Sequence, residues 1–409
     1  MKRTLGQLGL IRVMTLAASL AQSVMVVRSL SLASIGEYYL ITTVAYLGNA
    51  AIFVGADMAM QRQLAHLQSD PSLNRRGVLT YVSVTSGCGA AMLLLASFAY
   101  FWSTSGTAAL ALPWLCCLLS LGTYFALTSR NAVLLCGRPV AASALQLVEA
   151  VGKVALIALA VLAQGASAKT LILATAGGSL LSAACATVLL ARLTRPTVRP
   201  YREPFRPLVR KIAAIGSAGL LNWGQLQGYR PLLAALLPSI ELIGTVALLT
   251  TLGSTAGSSL STILAQMHVP AQYASKGATS AKYLRHVVVA AVAGTLLLMP
   301  FAYVFLLVTD KASLAPLLYL FAVGLFVEAG NAAVGIAINL CNVRGYPVWH
   351  LPVAGLLGCI VTLPLILAVP SSDNPYMLIG AALTLGQLVT VVVTWSITLA
   401  LSRAHHAQP

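Results

Sequence analysis

Residues 192–211 read RLTRPTVRPYREPFRPLVRK. This stretch holds seven of the chain's 25 Lys and Arg, four prolines and a single acid, Glu203. The prolines remove backbone donors and stop a helix from running through. No other stretch is so long and so polar, and apolar sequence flanks it on both sides. It reads as a solvated basic linker at 194–209. It separates an N-terminal part, 1–193, from a C-terminal part, 210–409.

The flanking composition decides the class. A soluble domain carries about 25% charged residues. This chain carries 8%, and 58% of it is hydrophobic. The repeated unit is an apolar run of roughly 20 to 28 residues, the length of a membrane-crossing helix. A transmembrane barrel would show alternating segments of about ten residues instead. The net charge of +16 does not point to nucleic acid, because the basic residues gather at the ends of apolar runs. The opening MKRTLGQLGLIRVM starts like a signal peptide. Arg12 within its apolar run, and the lack of a cleavage site, predict a retained first helix. The seven cysteines form no Cys-x-x-Cys pair and read as small packing residues. Neither a disulfide, a metal nor a cofactor is expected.

Twelve spans are predicted, near 6–27, 38–61, 78–101, 108–130, 140–163 and 170–191, then 212–236, 242–266, 286–308, 314–340, 348–369 and 376–401. With the N-terminus in the cytoplasm, 19 of the 25 basic residues fall on that side. Only Arg28, Lys169 and Lys311 fall outside. This bias places both termini in the cytoplasm. The outer loops FWSTSG, QGASAK, VTDKAS and PSSDNP are too short to hold a domain, so the work is expected within the membrane.

The two parts repeat one plan. Residues 35–43, IGEYYLITT, match 243–251, IGTVALLTT, at five of nine positions. Asn131, Gly137, Pro139 and Val140 recur as Asn339, Gly345, Pro347 and Val348. Both matches share one gapless offset of 208 residues. Six helices per half give both halves the same orientation, a parallel repeat. The expected fold is an all-α polytopic membrane protein. Its twelve or so transmembrane helices form two pseudo-symmetric six-helix lobes around a central cleft.

Polar residues at helical spacing mark the expected lining. The first span offers Arg12, Thr15, Ser19 and Gln22. The second offers Thr42, Tyr46, Asn49, Phe53 and Asp57. The seventh offers Asn222, Gln225, Tyr229 and Arg230, and the eighth Thr251, Thr255, Ser258 and Thr262. The ninth and eleventh are nearly free of polar side chains and are expected to face lipid. Small hydroxyls also mediate helix packing, so a structural role stands beside the functional one. Charges within spans are sharper signals, since each costs about 2.5–3.5 kcal/mol at the helix centre. Arg12, Gln22, Asn49, Asn222, Gln225, Tyr229 and Arg230 are the candidate substrate contacts. Asp57, Glu149, Lys153 and Glu328 are candidates for ion coupling. Glu149 and Lys153, four apart, also suit a structural ion pair. Pro231 is expected to kink the seventh span beside Arg230. His350 reads as structural. There is no Asp-x-Asp, nucleotide loop, metal cluster or Ser/His/Asp set, so an enzyme is not expected.

The segment from Arg28 to Arg62, RSLSLASIGEYYLITTVAYLGNAAIFVGADMAMQR, resembles the first hairpin of bacterial polysaccharide flippases. These form a family within the superfamily of multidrug, oligosaccharidyl-lipid and polysaccharide exporters. Ile35-Gly36-Glu37-Tyr38, Gly55-Ala56-Asp57 and Arg62 carry the likeness. Gly137-Arg138-Pro139, Gln146, Glu149 and Lys153 resemble the family's fourth-to-fifth helix turn. Residues 217–267 resemble its seventh and eighth helices. The chain departs from the pattern at Ser31-Leu32-Ala33, where the family has Leu-Gly-Pro, and it lacks two extra helices. The resemblance implies flipping of a polyprenyl-pyrophosphate-linked oligosaccharide across the bacterial cytoplasmic membrane by alternating access. It also implies membrane lipids and a polysaccharide polymerase as partners, in O-antigen or exopolysaccharide synthesis. An ion-coupled exporter of small cationic compounds is the alternative. A membrane polymerase or glycosyltransferase is a third reading, which the short outer loops disfavour.

Overall fold

A chain immersed in hydrocarbon must satisfy every backbone N–H and C=O internally, which favours helices. The computed structural model describes residues 2–53, 75–105, 111–135, 138–193, 205–237, 239–344, 346 and 349–406. Among these there is no strand. Thirteen α-helices, numbered in chain order, account for most of the described residues. They begin with α1 (Lys2–Ser29), α2 (Leu32–Gly48), α3 (Arg75–Ser105) and α4 (Ala111–Leu135). Next come α5 (Pro139–Gln164), α6 (Ala168–Leu193), α7 (Phe205–Leu226) and α8 (Tyr229–Leu236). The rest are α9 (Glu241–Ala274), α10 (Ser280–Val308), α11 (Tyr319–Arg344), α12 (His350–Leu367) and α13 (Pro375–His406).

Among the described residues, α1, α4, α5, α6 and α10 to α13 each contain a stretch long and apolar enough to cross a membrane. The chain is a multi-pass membrane protein. The expected second span runs into residues 54–74, outside the described residues, as do Asp57 and linker residues 194–204. By packing, the chain divides into two compact units, Met1–Leu220 and Leu221–Pro409. The division falls inside α7.

The expected seventh span, 212–236, is not one continuous helix. It breaks between α7 and α8 at Gln227 and Gly228. The cause is Pro231, which has no N–H and whose ring crowds the carbonyl four residues back, that of Gln227. The Gln227 carbonyl accepts from the Arg230 N–H at 3.1 Å instead, and both the Gln227 and Gly228 N–H groups converge on the Trp223 carbonyl.

Within the first unit, α5 and α6 form a hairpin whose turn needs a glycine. Gly165 has φ +77°, a region costly for other residues. Ser167 and Thr170 then cap α6 reciprocally: the Ser167 N–H donates to Thr170 Oγ1 at 3.1 Å and the Thr170 N–H to Ser167 Oγ at 3.2 Å. Lower down the helices nearly touch, since a Cβ on Gly178 would lie 2.7 Å from the Lys153 nitrogen. In the second unit α9 and α11 cross just as closely. A Cβ on Gly253 would lie 2.0 Å from the Phe321 carbonyl oxygen, and one on Gly324 2.0 Å from that of Thr250. Small residues at such crossings are how membrane helices gain packing where no hydrophobic effect drives them together. As expected for the ninth span, α10 exposes an apolar stripe, Val288, Val292, Leu296 and Phe301, at the spacing of a lipid-facing helix.

Candidate functional site: three polar clusters within apolar helices

In the second unit the break between α7 and α8 sets Arg230 in a polar cradle. Its side chain is only 6% exposed. Nε donates to Tyr229 Oη at 3.1 Å, Nη1 to Gln227 Oε1 at 3.1 Å and Nη2 to Thr251 Oγ1 at 3.2 Å. The three oxygens are neutral. They fix the plane of the guanidinium, which is therefore pre-organised at little further entropic cost. Thr251 closes the repeated IGTVALLTT motif on α9, which links the repeat to the cradle.

A second polar system of this unit ends on Glu328. Gln225 is fully buried; its Nε2 donates to Gln387 Oε1 at 3.2 Å, and its Oε1 accepts from Thr390 Oγ1 at 2.8 Å. Gln387 Nε2 donates to Asn331 Oδ1 at 3.3 Å, and Asn331 Nδ2 to Glu328 Oε2 at 3.3 Å. Side chains from α7, α13 and α11 are thus joined in one hydrogen-bonded chain. Among the described residues no Lys, Arg or His pairs with Glu328. Gly257 lets α9 lie against it, since a Cβ there would come within 2.9 Å of Glu328 Cβ.

The first unit holds the third cluster. Lys153 Nζ donates to Glu149 Oε1 at 2.6 Å, so the i,i+4 pair forms. Ser179 Oγ from α6 donates to the same oxygen at 3.0 Å. Arg130, from α4, donates Nη1 to Glu149 Oε2 at 3.3 Å. One carboxylate therefore serves two cations. The sequence places Arg130 at the inner end of its span as a flanking charge. Its turn toward Glu149, 19 residues away and on another helix, has no local signature.

The other candidates are more scattered. On α1 Arg12 is exposed, Thr15 is buried and donates to the Ile11 carbonyl at 2.8 Å, and Gln22 is half-buried. Asn49 opens a five-residue π-helical segment, Asn49–Phe53. Its Nδ2 is buried with no hydrogen-bond partner among the described residues. Such π segments are frequent at functional sites. Asn222 is exposed on α7 and Tyr229 is buried. His350 is buried, with Nε2 at 3.3 Å from Thr398 Oγ1. Gln387 and Thr390, absent from the sequence-based candidates, are buried polar groups in an apolar helix, which is itself a signal.

No protein-family model matches the chain, and no curated protein is similar to it at a significant level. Solved structures do match. An inward-facing multidrug resistance MATE family transporter of the MOP superfamily superposes with a TM-score of 0.65 at 12% identity, over 97% of this chain and 96% of that one. A point mutant of the Vibrio cholerae MATE transporter VcmN gives 0.60 at 15% identity over 99% of both chains. The lipid II flippase MurJ, in an inward closed conformation, gives 0.64 at 11% identity over 95% of this chain and 87% of its own. Identities this low speak for shape and not for substrate. The chain has the all-helical, two-lobed fold that MATE transporters of the MOP superfamily share with the lipid II flippase MurJ.

Proposed function

We propose that this protein is a membrane transporter that flips a polyprenyl-pyrophosphate-linked oligosaccharide from the cytoplasmic to the outer leaflet by alternating access. The observation that carries the reading is the buried, oriented guanidinium of Arg230 within an apolar unit. A pyrophosphate-linked sugar head does not cross hydrocarbon unaided, because its polar groups go unsatisfied there. A guanidinium held in plane is placed to exchange its neutral partners for phosphate oxygens, to which it makes stronger, charge-assisted hydrogen bonds. Those partners are Tyr229, Gln227 and Thr251. One structural neighbour, MurJ, is a lipid II flippase, which agrees with a lipid-linked cargo.

The second reading, an ion-coupled exporter of small cationic compounds, has its own support. Glu328 has Asn331 as its hydrogen-bond donor and no cation beside it among the described residues, which suits a carboxylate that exchanges a proton or metal cation. Several neighbours are multidrug transporters. The two readings separate in cells that lack the protein. Lipid-linked oligosaccharides are extracted after treatment with an impermeant sugar-modifying enzyme. Completed units trapped on the cytoplasmic face, and released when the protein is restored, support flipping. Units that reach the outer face but stay unpolymerised point to a polymerase. Unchanged lipids point to the exporter.

A further inference from the structure

Among the described residues the first unit's charge cluster is out of balance. Arg130 and Lys153 bring two positive charges and Glu149 brings one negative, all in helices apolar enough to span a membrane. An excess charge deep in such surroundings is expensive, and Arg130, toward the expected inner end of its span, carries it where the polar boundary is near. The division of partners within the cluster is also uneven. Lys153 lies close, at 2.6 Å, and shares Glu149 Oε1 with the Ser179 hydroxyl. Arg130 makes one longer, single-pronged contact at 3.3 Å to the other oxygen. A guanidinium has five N–H donors, and one of Arg130's is used by the described residues. Its side chain remains 22% exposed, against 18% for Lys153 and 13% for Glu149. Arg130 is thus held loosely by the carboxylate, and among the described residues its other donors are unused and its charge has no second partner.

We propose that Arg130 is the receiving group of an anion site in the first unit, and that it takes a phosphate-class oxyanion. A planar fork whose remaining donors are unused by the described residues matches two oxygens of one phosphate. Glu149 acts as a placeholder. It holds the guanidinium in position when the site is empty and competes with the arriving anion, while Lys153 keeps the carboxylate neutralised when Arg130 turns away. The proposal deepens the flipping function and rests on that reading, with the pyrophosphate of the cargo as the natural occupant. A free phosphate or an anionic lipid headgroup presents the same chemistry.

The test uses the full chain in phosphatidylcholine nanodiscs, titrated calorimetrically with inorganic pyrophosphate and with farnesyl pyrophosphate, and again in nanodiscs containing phosphatidylglycerol. The expected result is saturable binding of a phosphate probe. Arg130→Gln weakens it by roughly tenfold or more, as for loss of a charge-assisted hydrogen bond. Arg130→Lys weakens it less, keeping the charge but not the fork. Glu149→Gln tightens it, by roughly threefold or more, because the competing carboxylate is gone. Binding of farnesyl but not inorganic pyrophosphate assigns a lipid-linked occupant. Equal binding of both assigns the phosphate alone, and competition by phosphatidylglycerol assigns a bilayer headgroup. A purely structural triad gives the opposite pattern, in which Glu149→Gln fails to tighten binding, or Arg130→Gln leaves it unchanged. Either result overturns the proposal. Intact flipping with no Arg130-dependent binding removes this site and leaves the transport reading standing. Arg130-dependent binding without flipping does the reverse.

Discussion

Replacing Gly324 with alanine perturbs the crossing that holds Glu328 in place. A Cβ at this position would lie 2.0 Å from the Thr250 carbonyl oxygen and 2.8 Å from its carbon. An ordinary contact begins at 3.4 Å, so the helices α9 and α11 must separate by about 1 Å or more, which a close-packed interior resists. The obstructing atom belongs to the backbone and has no rotamer to escape into. Overpacking of this kind costs about 1–3 kcal/mol, here toward the upper end. Alanine's better helix propensity returns about 1 kcal/mol. The net loss is roughly 2 kcal/mol, or roughly 4–8 °C in the melting temperature of a unit this size. Gly335→Ala is the control. It sits on the same helix, and a Cβ there meets nothing within 4 Å, so only the propensity gain remains and the melting temperature holds or rises. The assay is thermal unfolding of both purified variants in one detergent. If Gly324→Ala melts together with Gly335→Ala, the close crossing is refuted as a determinant of the fold, and with it the stated reason for where Glu328 sits.

Three further outcomes are expected. Glu328→Gln keeps the Asn331 contact but removes the charge, so transport should lose its dependence on the ion gradient while protein abundance holds; a change in abundance alone makes Glu328 structural. Cysteines placed at Ser19, half-buried on α1, and Thr255, exposed on α9, should react with an aqueous thiol reagent in a background freed of native cysteines such as the exposed Cys185. Protection of both throughout turnover contradicts a wet lining on these helices. His268 lies just past the expected end of the eighth span at 266, 2.7 Å from the ring of His286 and stacked on Tyr283. Desolvation first, then the charges of His286 and Lys282, hold its imidazole below the ordinary histidine range. The unfolded chain therefore binds the proton more readily, so stability is complete above about pH 6.5 and falls as pH drops below it. His268→Gln should flatten that fall in thermal unfolding measured across the range.

The sequence showed most of the fold because the bilayer constrains it so strongly. Apolar runs placed most helix ends within a few residues, and Pro231 announced the kink beside Arg230. It was less informative wherever partners come from distant helices. Glu149 and Lys153 declare themselves by their spacing, but Arg130 joins them from another helix. Gln225 reads as a lining residue on its own helix, yet Gln387 and Thr390, more than 160 residues on, bury it completely. Gly324 and Gly335 are both glycines of one apolar helix, and only the packing of α9 against the first of them tells them apart. The π segment at Asn49 leaves no mark that periodicity detects, since it inserts into an otherwise regular apolar pattern.

This chain is proposed to move a pyrophosphate-linked sugar across a membrane through a path that uses Arg230. Purified protein in liposomes carrying a labelled prenyl-pyrophosphate oligosaccharide tests it directly, with an impermeant sugar-oxidising reagent reporting how much label each leaflet holds. The wild-type protein should expose the inner-leaflet pool to the reagent, and Arg230→Ala, inserted at equal density, should leave that pool protected. Equal exposure by both proteins, or protection by both, contradicts the proposal.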